Sequence, residues 1–273
     1  MSNSSPIGIF DSGLGGLSIA KEIRKLLPNE DLLYYGDSAY CPYGEKPHEV
    51  IKERVFSISN FLLSNGAKIL VVACNTASIV SLDEIRKKFQ VPVVGVEPAV
   101  KPAVSATKTG TIGVLATGVT LSGDRFSSLV QRYCDKTTVV TQPCPGLVEQ
   151  VENGKVHNEE TQKLLTKYVK PLLEQDADTI VLGCTHYPFL RSKIMEIAGP
   201  NVTIIDTGLP VAQQTARVLE KHGLSNTNKH QGQEQFYTSG DQNIVEPVVR
   251  LLWGDQVSEV KQVLLGGRLS EVN

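Results

Sequence analysis

The sequence predicts an α/β protein made of two pseudo-symmetric lobes, each a parallel sheet wrapped by helices, with the active site in the cleft between them. Two observations carry this expectation. Short apolar runs alternate with segments of helical spacing along most of the chain, the pattern of parallel strands covered on both faces. The series also occurs twice: IGIFDSG (7–13) resembles IGVLATG (112–118), and VVACNTAS (71–78) resembles VLGCTHYP (181–188). Gly8 and Gly113 stand 105 positions apart, and Cys74 and Cys184 stand 110 apart.

In the first series, IGIF (7–10) reads as a strand, DSGLGG (11–16) as a turn and LSIAKEIRKLL (17–27) as a helix. DLLYYGD (31–37) is a second strand, and 48–66 a long amphipathic helix that stops at Gly66. KILVVACN (68–75) is a buried strand, 78–89 a helix and VPVVGVEP (91–98) another strand. The second series runs as a strand at 111–118, a helix from Ser122 to Cys134, a strand at 138–144 and a helix at 157–175. A strand at 178–185, a helix at 189–199 and a strand at 201–208 follow. A helix at 209–223 precedes a polar loop at 225–235. Residues 236–265 read as a strand, a helix and a final strand that complete one sheet. The expected division is 1–98 plus 209–273 for the first lobe and 99–208 for the second.

Composition narrows the function. The 273 residues are 41% hydrophobic and 21% charged, the balance of a globular protein with a substantial core. Lys and Arg total 27 against 29 for Asp and Glu, so no phosphate-neutralising surface is expected and nucleic acid is a poor partner. No apolar run reaches the roughly 20 residues of a membrane helix. The opening MSNSSPIGIF lacks the basic and apolar regions of a signal peptide, so the expected location is the cytoplasm. The five cysteines are odd in number and contain no C-x-x-C pair, which predicts free thiols and no structural zinc.

Ligands of parallel sheets bind outside the carboxyl ends of the strands. Cys74-Asn75-Thr76 and Cys184-Thr185-His186 both fall there, and facing lobes would put both thiols in one cleft. A thiol near a helix N-terminus is expected to have a lowered pKa. If the segment is extended, His186 lies on the same side as Cys184, two residues back. A single buried cysteine is most often an inert apolar filler; the repeated strand–Cys–polar pattern favours chemistry for this pair. Asp11-Ser12-Gly13-Leu14-Gly15-Gly16 reads either as a ligand cradle with N–H groups for an anion or as a plain Gly turn with a helix cap. Asp37-Ser38 and Pro42-Tyr43-Gly44 read as a ligand wall or an ordinary turn, and Thr117 and Thr120 as caps or ligand contacts. Glu152 precedes a turn at Asn153-Gly154 and reads, on its own, as a surface carboxylate. His48, His157, His222 and His230 show no ligand spacing, and Cys41, Cys134 and Cys144 have no matched partners.

DSGLGG, YCPYGEK, VVACNTAS, VLGCTHYP and IDTG (205–208) together resemble the cofactor-independent glutamate racemases of the aspartate/glutamate racemase superfamily. The resemblance runs from about Ile7 to at least Gly208. It implies that one thiolate removes the α-proton of glutamate and the other thiol returns a proton from the opposite face, without pyridoxal phosphate or metal. On the matching positions, Cys74 is the base for D-glutamate and Cys184 the base for L-glutamate. Asp11 stands beside the first cysteine and His186 assists the second. Asn75, Thr76 and Thr185 hold the amino and carboxylate groups. Ser12, Tyr43 and Gly44 meet the side-chain carboxylate, with Thr117 and Thr120 nearby. Glu152 matches the second-site carboxylate, with Glu149 as a rival. The resemblance further implies a homodimer that supplies D-glutamate for peptidoglycan. Some relatives carry an N-terminal extension linked to activation by a UDP-linked muropeptide precursor; six residues precede Ile7, and such activation is not expected.

Overall fold

The computed structural model describes residues 4–266. Residues 1–3 and 267–273, at the two ends of the expected first lobe, lie outside the described residues.

The first sheet contains β1 (Ile7–Asp11), β2 (Leu32–Gly36), β3 (Ile69–Val72), β4 (Val93–Gly95), β9 (Glu234–Thr238) and β10 (Val260–Gln262). The second contains β5 (Thr111–Ala116), β6 (Thr138–Pro143), β7 (Thr179–Leu182) and β8 (Thr203–Ile205). Every pairing is parallel. The first sheet has the order β10-β9-β2-β1-β3-β4 and the second β6-β5-β7-β8. The duplication is therefore one of topology as well as sequence. Strand for strand, the order β2-β1-β3-β4 corresponds to β6-β5-β7-β8, and β9 and β10 extend only the first sheet.

The strands form because their apolar residues serve two cores at once. In the first sheet Ile7, Ile9, Tyr34, Ile69 and Val71 face one cluster, and Phe10, Leu33, Tyr35, Leu70 and Val72 the other. This alternation, with both faces covered, is what a buried parallel strand requires. Helices α1 (Leu17–Leu26) and α2 (His48–Ser64) cover opposite faces. Helix α2 ends at Ser64 with Asn65 as its C-cap, and Gly66 then takes φ +86, which favours glycine. The cluster under α1 continues into the second lobe through Leu115, Ile180 and Leu182, so one apolar core underlies both sheets. Helix α8 (Glu159–Leu173) packs there, capped by Asn158, whose side chain accepts from the Thr161 N–H at 2.8 Å. Helices α4 (Val100–Ala106) and α6 (Asp124–Tyr133) cover the other face of the second sheet. Helices α10 (Gly208–Lys221) and α11 (Gln242–Trp253) return to pack beside α1.

Several elements differ from expectation, each for a local reason. The third strand ends at Val72 and helix α3 (Asn75–Lys88) begins at Asn75 rather than 78, because the Cys74 side chain caps it. The helix expected from Ser122 to Cys134 is α6, and an extended Gly123 separates it from a short preceding helix, α5 (Gly118–Ser122). A 3-10 turn at Tyr187–Leu190 precedes α9 (Arg191–Ala198), where one helix from 189 was expected. Three short helices, α4, α5 and α7 (Leu147–Glu152), were not expected at all.

Candidate active site

Because β3 and β7 occupy equivalent places, the residues that follow them leave equivalent sheet edges, and the two edges face each other. A cavity of about 290 Å³, counting its open mouth, lies between them. Ser12, Tyr43, Gly44, Cys74, Asn75, Thr76, Thr117, Thr120, Cys184, Thr185 and His186 all line it, so the cavity gathers both cysteine turns.

Cys74 is buried at the start of α3, where its Sγ accepts from the Ala77 N–H at 3.4 Å. Its thiol points at Ser12 Oγ, 3.7 Å away. Burial, reinforced by the nearby Asp11 charge, pushes this thiol up to about 12. The expectation that the helix N-terminus would lower it is thus corrected: loss of water outweighs the hydrogen bonds with Ala77 and Ser12. Asp11 is fully buried and likewise pushed above the ordinary carboxylate value by burial, partly offset by His186 and the Gly16 N–H. Its Oδ2 accepts from Gly16 at 2.9 Å and its Oδ1 from Thr185 Oγ1 at 3.4 Å, so it bridges the two lobes.

On the second side, His186 Nδ1 lies 3.6 Å from Cys184 Sγ. The segment is a turn, with His186 at φ −76 and ψ −31, so the pairing arises from chain reversal and not from the extended alternation expected. His186 Nε2 meets Glu152 Oε1 at 2.6 Å. Burial pulls His186 down, but its hydrogen bonds to Cys184, Cys41 and Glu152 prevail and raise it well above the ordinary imidazole value. Glu152 is not the surface carboxylate its turn context suggested. It ends α7 and accepts from the Leu14 N–H at 2.5 Å. Glu149, on the same helix, instead lines a neighbouring apolar recess with Cys144 and Pro145.

DSGLGG works differently from an anion cradle. Its N–H groups at Leu14 and Gly16 are occupied by Glu152 and Asp11. A Cβ at Gly13 would stand 2.2 Å from Glu152 Oε1, and one at Gly15 would stand 2.3 Å from His186 Nδ1. These glycines admit the His186–Glu152 pair of the opposite lobe.

The remaining polar groups fall into two kinds. Thr76, Thr117 and Thr120 bring three hydroxyls together across the cleft at 3.0–3.5 Å, and Thr117 also caps α5. Asn75 is buried, and neither polar atom of its side chain has a partner among the described residues, so both are free to hold a ligand. Tyr43 lines the cavity, but its hydroxyl donates to Asp37 Oδ2 at 2.6 Å. Asp37 is clamped in turn by Arg54 through Nε at 2.9 Å and Nη2 at 2.8 Å. Arg54 carried no recognisable signal, since a lone arginine in an amphipathic helix reads as solvated. His48, His157, His222 and His230 are all exposed. Among the described residues, Cys41, Glu152 and His186 place ligand atoms within 4.8 Å of one another.

Like sheets that present buried thiols to one small cavity define a two-lobed α/β protein with a single cleft shared by both sheet edges. The chain belongs to the Asp/Glu/Hydantoin racemase family, which it matches over residues 15–215. It is 51% identical over 236 residues to the glutamate racemase of Herpetosiphon aurantiacus, covering 86% of this chain and 93% of that one. Among solved structures it resembles the glutamate racemase isoform RacE1 of Bacillus anthracis, with a TM-score of 0.86, 33% identity and coverage of 97% and 98%. The Escherichia coli glutamate racemase, solved with L-glutamate and the activator UDP-MurNAc-ala, matches with a TM-score of 0.84 at 32% identity, covering 96% of this chain and all of that one. Among the described residues no helix is long and apolar enough to cross a membrane.

Proposed function

We propose that the chain interconverts L-glutamate and D-glutamate by passing a proton between Cys74 and Cys184. The observation that carries this reading is the meeting of two equivalent strand-end thiols in one cavity. Inversion of a stereocentre requires a base on one face of the carbon and an acid on the other, with roles that exchange in the reverse direction. For L-glutamate, Cys184 takes the α-proton and Cys74 delivers one to the opposite face; for D-glutamate the order reverses. His186, tied to Glu152, can give a proton to Cys184 or accept one. Asp11 and Ser12 flank Cys74. Asn75, Thr76 and Thr185 offer donors and acceptors for the amino and α-carboxylate groups. Ser12, the Tyr43-Gly44 turn and the Thr117–Thr120 pair surround the side-chain carboxylate. Glu152 rather than Glu149 fills the second-site role, as its contact with His186 supports. No pyridoxal phosphate or metal enters this scheme.

The same reading takes residues 1–98 with 209–273 as one lobe and 99–208 as the other. It takes the protein as a cytoplasmic homodimer supplying D-glutamate for peptidoglycan, as the sequence resemblance implies.

Incubation with L-glutamate in deuterated water tests the reaction. Loss of optical activity with gain of α-deuterium is expected, unaffected by removal of pyridoxal phosphate. L-aspartate in the same assay should remain unchanged; its turnover in place of glutamate would overturn the substrate assignment. Cys74→Ser and Cys184→Ser should each abolish racemisation, and near-full activity in either would end the two-thiol scheme.

A further inference from the structure

We propose that Cys41, His186 and Glu152 form a binding site for a borderline-soft divalent cation, zinc or cobalt, and that occupancy of this site shuts the active site down. Each residue supplies one ligand atom, a sulfur, a ring nitrogen and a carboxylate oxygen, and all three lie within 4.8 Å of one another. Thiolate, imidazole and carboxylate are the donors that zinc takes. With bonds of about 2.0–2.3 Å, a tetrahedral zinc holds its ligand atoms about 3.2–3.8 Å apart. The cluster therefore needs to adjust by only about 1 Å. Three protein ligands leave the fourth position for water, as in zinc sites that remain open.

The three side chains already act as a unit. Cys41 Sγ lies within 4.8 Å of both the His186 ring and the Glu152 carboxylate. His186 Nε2 lies 2.6 Å from Glu152 Oε1. His186 is buried, while Cys41 and Glu152 are half-buried, so a cation can reach the ring past the other two. Cys41 stands outside the cavity that gathers Cys74 and Cys184.

Binding involves no change of oxidation state. The sulfur–metal, nitrogen–metal and oxygen–metal bonds form, and the Cys41 thiol proton and the proton shared by Nε2 and Glu152 leave to solvent. His186 is then fixed with its remaining proton on Nδ1, facing Cys184 at 3.6 Å. It can no longer exchange protons through Nε2, and Cys184 loses its partner. The loss of turnover rests on the racemase reading given above; the binding itself does not.

The test uses the full chain, reduced and freed of metal. Zinc chloride is titrated by calorimetry, cobalt(II) by absorption, and racemisation is followed with and without zinc. One zinc per chain is expected, with a dissociation constant on the order of micromolar or tighter. Cobalt should give a thiolate-to-metal charge-transfer band and the strong visible bands of a tetrahedral site. Zinc should slow the wild type more than tenfold, and a chelator should restore it. Millimolar magnesium, an oxygen-seeking cation, should do neither. Cys41→Ser should lose the charge-transfer band and weaken zinc at least tenfold, whereas Cys134→Ser should match the wild type. Comparing each variant's rate with and without zinc removes any change in its basal rate. Unaltered zinc binding in Cys41→Ser, as expected if zinc sits between Cys74 and Cys184, would overturn the site, as would no binding at millimolar zinc. Binding that follows Cys41 without slowing turnover would overturn the shut-off. A protein that binds zinc as described yet racemises nothing would instead sink the proposed function and leave the site standing.

Discussion

Gly15→Ala probes the contact that brings the second lobe's histidine against the first lobe's turn. The new Cβ would stand 2.3 Å from His186 Nδ1, 2.6 Å from Cε1 and 2.6 Å from Thr185 Oγ1. Favourable contact begins near 3.5 Å, so the imidazole must retreat by about 1 Å. It cannot swing into solvent, being 2% exposed and held by Glu152 on its far nitrogen. A displacement of about 1 Å in a proton-transfer site costs on the order of 100-fold in rate, or about 2.7 kcal/mol of barrier. Overpacking of this kind costs about 1–3 kcal/mol of stability, so the variant should still fold. Circular dichroism of L- and D-glutamate solutions measures turnover in both directions, and thermal melts measure folding. Turnover should fall about 100-fold in both directions, since a mutation leaves the reaction's equilibrium constant untouched, and KM should move less. Gly118→Ala is the control: its Cβ meets nothing within 4 Å, and both activity and stability should hold. A Gly15→Ala enzyme that folds cooperatively and keeps more than a third of wild-type turnover would refute the inference that this glycine seats His186.

The clamp behind Tyr43 is expected to matter for stability. Asp37→Asn leaves Arg54, 2% exposed, without its charge partner, and urea unfolding should show a loss of about 3–5 kcal/mol; a loss below about 1 kcal/mol would mean the pair is not buried as described. Asp178 links the turn before β5 to β7. Burial, the largest single influence, raises it, but hydrogen bonds from Thr107, Lys108, Thr109 and Thr179 together outweigh this and hold it at about 2. A depressed carboxylate stabilises the fold above its unfolded value and loses that contribution as pH falls through its folded value. Asp178→Asn should therefore cost about 1 kcal/mol at neutral pH, after allowance for solvent screening. The gap should close between about pH 4 and pH 2 in melts across that range, and a gap independent of pH would contradict the assignment.

The fold was legible because burial imposes a pattern on every strand. Both sheets need apolar residues on two faces, and the duplicated order of β1 to β4 in β5 to β8 shows in sequence as repeated runs. What escaped were the short elements. Helix α7 has six residues, too few to display a helical period, and begins after Gly146 in a left-handed conformation. Helix α4 carries Pro102, which reads as a breaker, yet it lies in the first turn, where proline removes no helical hydrogen bond. The start of α3 was missed because Asn and Thr are poor helix formers, and a cysteine rarely announces itself as a cap.

The site was legible where residues sit beside a strand end and opaque where they meet across the lobes. Cys74, Cys184 and His186 follow strands directly. The contact of Glu152 with Leu14 spans 138 positions and leaves no periodic trace. Duplication also conceals divergence. The two thiols share topology, but Cys74 is surrounded by a hydroxyl, an N–H and the Asp11 charge, while Cys184 has an imidazole. A thiol pushed up to about 12 keeps its proton at neutral pH by roughly five powers of ten. In the resting site Cys74 therefore carries its proton. A cation beside it would favour the thiolate, and on the proposed two-thiol reading the ammonium group of an amino-acid substrate supplies one. On that same reading the two halves answer one need in different ways: the His186 imidazole serves one face, and the substrate's own charge serves the other.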